Sequence, residues 1–136
     1  MRKADSGNLV KPPMLETQVR RMLKDPKAQA LVGDFGGQWL QFRALESHLP
    51  DRKKFQEYTE YTRLSLANET ELFFANILDE DRSVLEFVDA DYTFVNQRLA
   101  EFYGIPNVKG HEWRKVSLTG TPRGGVLTQG SVLTVS

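Results

Sequence analysis

The stretch from Glu69 to Ile105, ETELFFANILDEDRSVLEFVDADYTFVNQRLAEFYGI, constrains the fold more than any other part of this chain. It places aromatic and aliphatic residues at helical spacing and interrupts them twice with short acidic turns. The periodicity extends upstream: Tyr58, Thr62, Leu66, Thr70, Phe73 and Ile77 share one stripe, widened by Ala67, Phe74 and Leu78. A face that wide predicts a central helix from about Phe55 to Leu78. Two short helices should follow. Asp81 is placed to cap the first, with Val84, Leu85 and Val88 inward. Thr93 is placed to cap the second, with Val95, Leu99, Phe102 and Tyr103 inward, and Gly104 should stop it.

Residues 1 to 11 are polar and read as a flexible segment, after which Pro12-Pro13 gives an extended entry into a short helix bearing Leu15, Val19, Met22 and Leu23 on one face. Asp25-Pro26 ends that helix and opens another, because proline is tolerated at a first helical position and aspartate caps it. From Pro26 to about Phe42, Ala28, Leu31, Val32, Phe35, Trp39 and Phe42 make an apolar stripe, with Gly33, Gly37 and Leu40 roughly opposite. Glycines inside a helix cost about 1 kcal/mol each against alanine, so close approach of another helix is expected at Gly33 and Gly37. A phosphate loop would need its glycines ahead of a helix N-terminus, not inside the helical pattern.

His48-Leu49-Pro50-Asp51 reads as a solvated connection, and Pro106 to Gly120 as an irregular stretch in which HEWRKVSL is extended. TPRGGVLTQGSVLTVS is compatible with helix or strand; a helix from near Gly124 is expected, with Val126 and Leu133 on one side and Leu127 on another, leaving apolar surface for a neighbour. No stop signal closes it, so the chain reads as one helical domain, residues 12 to 136, taken from a longer polypeptide. The predicted fold is all-α: an irregular bundle of five or six helices with a long central helix and one extended loop. Its expected core is Leu31, Phe35, Trp39, Leu66, Phe73, Ile77, Leu85, Val95, Leu99 and Phe102.

Eighteen basic residues balance eighteen acidic ones, which removes the field that a nucleic-acid or anionic-membrane binder uses. With no cysteine, this stretch has no thiolate metal site, thiol nucleophile or covalently attached haem. No apolar run reaches the roughly 18 residues needed to span a bilayer, and the N-terminus lacks a signal-peptide core. The acidic residues Asp79, Asp81, Asp89 and Asp91 fail as a calcium loop. An EF-hand begun at Asp89 puts Phe94 where glycine is needed and Ala100 where the bidentate glutamate belongs. No metal site is predicted. Glu69 sits at the edge of the central stripe, where a half-buried carboxylate needs either a partner or a raised pKa that suits acid-base work. Candidate catalytic residues are therefore Glu69, Asp91 and His111, and candidate binding residues are Trp113, Arg114 and Tyr92.

Three segments, DPKAQALVGDFGGQWL, the central stretch through Pro106, and RGGVLTQGSVLTVS, together resemble the family catalogued as domain of unknown function 1592. That family is known from large exported planctomycete proteins carrying a separate cytochrome-c-type domain. The resemblance implies an exported, periplasmic or cell-surface setting, adjacent domains of the same polypeptide as partners, and haem only in a separate domain. It supplies no reaction and no catalytic residues. Three functions are thus to be compared: a non-catalytic module orienting its neighbours, a carboxylate-based hydrolase or carbohydrate-active enzyme, and a glycan- or protein-binding module.

Overall fold

The structure, a computed structural model, describes residues 7, 11 to 48, 50 to 51 and 53 to 135. The expectation of a flexible segment over residues 1 to 11 therefore falls mostly outside the described residues. The central element is helix α3 (Glu60–Asp79), reached after α1 (Pro12–Leu23) and the short α2 (Gly37–Trp39). It starts five residues later than the apolar pattern suggests because Thr59 caps it, its Oγ1 accepting from the Thr62 amide at 3.2 Å. Thr62, Leu66, Glu69, Thr70, Phe73 and Ile77 all lie on its buried face. Beyond it come α4 (Glu86–Asp89), strand β1 (Tyr92–Val95), α5 (Gln97–Tyr103), strand β2 (Arg114–Ser117), a 3-10 turn (Val126–Thr128) and α6 (Gly130–Val135).

The all-α expectation is corrected by an antiparallel two-stranded sheet in which Tyr92 pairs with Ser117 and Val95 with Arg114. Tyr-Thr-Phe-Val is aromatic and β-branched, which favours a pleated strand over a helical first turn. Thr93 is therefore not a cap. That role belongs to Asn96, whose Oδ1 accepts from the Leu99 amide at 3.0 Å, and Gly104 ends α5 at φ 70° as expected. HEWRKVSL supplies β2, in keeping with its extended reading.

The chain from Pro26 to Phe42 is not one regular helix. Asp25 caps a single 3-10 turn (Pro26–Ala28), a π-helical segment (Leu31–Gly36) follows, and Gln41 adopts φ 55° before another 3-10 turn (Phe42–Glu46). A π-turn advances the helical phase. Here Val32, Gly36 and Gly37 turn inward, while Leu31, Phe35 and Trp39, expected in the core, are 40%, 54% and 50% exposed. Against α3 the close glycine is Gly36, where a Cβ would lie 3.1 Å from the Phe74 ring; Gly37 is close as expected, but to the Arg43 side chain of the following 3-10 turn at 2.9 Å, and a Cβ on Gly33 would only touch Glu71.

Around α4 the expected inward set is likewise reversed. Phe87 and Ala90 are buried, and Val84, Leu85 and Val88 face out. Asp81 does not cap; it sits at φ 51° and accepts from Arg20 at 2.9 Å. Phe102 is also at the surface, whereas Leu66, Phe73, Ile77, Val95 and Leu99 are buried as expected. The C-terminal helix begins at Gly130 rather than near Gly124, because Gly125 takes φ 56° and donates its amide to the Ala90 carbonyl at 3.0 Å.

Two apolar clusters lie along α3. One is aromatic, with Phe73, Phe74, Phe87 and Tyr92 around Val32, Ile77 and Val126. The other joins Phe42, Leu45 and Leu66 to Val95, Leu99 and Ala100.

Candidate functional site

The inner face of α3 carries a polar patch, Glu69 and Thr70, within its apolar stripe. Glu69 is 1% exposed. Burying a carboxylate requires donors, and two hydroxyls supply them: Thr93 Oγ1 of β1 at 2.5 Å and Tyr103 Oη of α5. Tyr103 Oη in turn accepts from the Gly130 amide at 2.8 Å, so α6 is joined to the same cluster. The Arg123 guanidinium stacks 3.9 Å from the Tyr103 ring centroid and donates to the Thr128 carbonyl. Beside them Thr70 Oγ1 donates to Gln129 Oε1 at 2.8 Å and lies 2.5 Å from Ser131 Oγ. Gln129 and Ser131 are both buried, and Gln129 Nε2 has no partner among the described residues.

Desolvation pushes the Glu69 carboxyl up to about 7, outweighing the two hydroxyl donors and the more distant charge of Arg123. Burial, and then the facing Glu69, also raise the Tyr103 phenol. A carboxyl that titrates near neutrality suits general acid-base catalysis if a substrate reaches it. Both Glu69 oxygens are already engaged, and Glu69 lines none of the five surface clefts described. What the arrangement does is tie α3, β1, α5 and α6 together through one hydrogen-bonded centre.

The other candidates lie apart from it. Asp91 is exposed ahead of β1 and accepts from Thr119 Oγ1 at 3.3 Å; His111 is exposed in the loop before β2. Among the described residues no hydrogen bond or ion pair joins Glu69, Asp91 and His111. Tyr92 is in the aromatic core, its ring 5.3 Å from that of Phe73, its Oη donating to Glu86 at 2.7 Å and Lys115 Nζ 3.8 Å from its ring centroid. Trp113 is half-buried against the Leu66–Leu99 cluster, and Arg114 donates to the Lys109 carbonyl at 2.8 Å. Tyr92 and Arg114 stand at opposite ends of the sheet, so these three residues form no shared platform. Among the described residues no group of three histidine, aspartate or glutamate side chains is placed to hold a metal.

In the sequence Thr93 reads as a cap and Tyr103 as an inward-facing residue, neither as a partner of Glu69, and Gln129 and Ser131 carry no assigned role. One signal was available: a tyrosine predicted to face inward needs a partner for its hydroxyl.

The surface also carries two apolar clefts separated by Trp39, Phe87 and Val88. The larger, about 570 Å³, runs between the π-helical segment and the chain around α4, lined by Leu31, Phe35, Val84 and Val88 and reached by Leu23. The smaller, about 350 Å³, is bounded by Val126, Leu127, Val132 and Val135. No helix among the described residues is long and apolar enough to cross a membrane.

A family model described as PSD4, protein of unknown function (DUF1592), matches residues 1–105. No curated protein gives a significant match, and neither does any solved structure.

Proposed function

The chain belongs to the DUF1592 family, and we propose that it serves as a non-catalytic helical module that orients neighbouring domains of a larger exported polypeptide, one of them a c-type cytochrome. The observation that carries this reading is the behaviour of the segment after residue 105, beyond the family match. Val126, Gln129 and Ser131 insert into the body of the family region, while Leu127, on the smaller apolar cleft, is 60% exposed and Leu133 of α6 is 59% exposed. A connector fixed on one side and apolar on the other holds a neighbour at a set angle, whereas a flexible linker would only tether it. The occupied, buried state of Glu69 supports a structural role for this strongly perturbed carboxylate.

The test compares the isolated chain with the full-length gene product carrying Leu127→Asp and Leu133→Asp. In the full-length protein the pair should lower the melting temperature and expose the junction after Val135 to protease. In the isolated chain, where both residues face water, the pair should change the melting temperature little. A full-length protein unaffected by both substitutions overturns the proposal. Haem absorbance in an envelope fraction checks the cytochrome and export components; a haem-free cytosolic product contradicts them.

A further inference from the structure

Helix α1 is amphipathic, yet it buries none of its residues. Leu15, Val19 and Met22 form its apolar stripe and are 50%, 45% and 59% exposed. A helix of 12 residues is marginal in water without a partner for such a stripe. The larger cleft begins where α1 ends: Leu23 reaches its mouth, and Arg20 donates to Asp81 on its rim, but the rest of the α1 stripe stays outside. Leu31, Phe35, Trp39, Val84 and Val88, which line it, are each at least 40% exposed.

The α1 helix cannot readily fold back into the cleft of its own chain. Its hinge is only Lys24-Asp25-Pro26, stiffened by the proline ring and by the Lys27 amide donating to Asp25 Oδ1 at 3.0 Å. A short, stiff hinge favours exchange of the element between copies. Charge complements shape in net terms: α1 and its flanks carry Lys11, Arg20, Arg21 and Lys24 against Glu16 and Asp25, and the chain bordering the cleft carries Asp79, Glu80, Asp81, Glu86 and Asp89 against Arg82, which pairs with Glu80 and Glu86. At about 1.5 Å per residue α1 is roughly 18 Å long, enough to lay Leu15, Val19 and Met22 across one face of a neighbour.

We propose that the apolar cleft takes α1 of a second copy of this chain, giving a two-fold dimer in which the two helices are exchanged. Each α1 stripe covers the partner copy's Phe35, Trp39, Val84 and Val88, and its Lys11 and Arg21 meet the acidic rim.

The experiment is sedimentation equilibrium of the chain and of two variants, Val19→Asp in α1 and Val88→Asp in the cleft, with circular dichroism to confirm that each is folded. Both residues are exposed, so the fold should survive. The unsubstituted chain should dimerise, and each variant should dissociate with a constant raised about tenfold or more. A mixture of the two variants should regain dimer, because one intact helix then meets one intact cleft. A monomeric unsubstituted chain, or a dimer insensitive to both substitutions, overturns the proposal. Sensitivity to Val88→Asp alone also overturns it, since the cleft would then meet something other than α1.

Discussion

Replacing Glu69 by glutamine should change how stability depends on pH, and the sign follows from its burial. Below pH about 4.5 the carboxyl is protonated in both folded and unfolded chains, and above about 7 it is ionised in both. Between these values the folded protein keeps a proton that the unfolded chain has released. The stability linked to this group is therefore fully present below pH about 4.5 and is lost as pH rises to about 7. The whole loss is about 3 kcal/mol, most of it between pH about 5 and about 8. Glutamine has nearly the same shape, accepts one hydroxyl and donates to the other, and does not ionise. Urea unfolding at the two pH values gives four free energies. The difference of differences isolates Glu69 from the rest of the protein. The unsubstituted chain should lose about 2 to 3 kcal/mol more than Glu69→Gln on going to the higher pH. Parallel pH profiles would refute the argument that desolvation dominates this carboxyl.

Three further substitutions probe the same framework. Phe73→Ala removes a fully buried ring and should cost about 3 to 5 kcal/mol in chemical denaturation. Tyr103→Phe deprives Glu69 of a donor and the Gly130 amide of its acceptor, so it should cost about 2 to 3 kcal/mol and speed hydrogen exchange at α6. In Gly125→Ala the new Cβ would lie 2.4 Å from the Val88 carbonyl oxygen at φ 56°, and about 3 kcal/mol or more of destabilisation is expected by thermal melting.

The central helix was legible because its stripe is long and regular, and five of its expected core residues and neighbours are indeed buried: Leu66, Phe73, Ile77, Val95 and Leu99. Phase was not legible where the backbone departs from 3.6 residues per turn. The π-helical segment puts Val32 inside and Phe35 outside, and nothing in LVGDFG announces that turn. Tyr92 to Val95 was misread because four residues carry too little periodicity to separate strand from helix, and the strand depends on β2, nearly twenty residues away. At the polar centre Glu69 stood out, since a carboxylate inside an apolar stripe is rare. Its partners did not, because Thr93 and Tyr103 meet it only once β1 and α5 have packed onto α3.

The module reading meets its most direct test in hydrogen exchange of the full-length protein and the isolated chain side by side, read over Val126 to Val135. If a neighbouring domain docks on the exposed side of this segment, amide exchange there should slow in the full-length protein, with Leu127 and Leu133 at the centre of the protected patch. Exchange over α3, already buried in the isolated chain, should stay the same. Identical protection of the C-terminal segment in both proteins would contradict the proposed function.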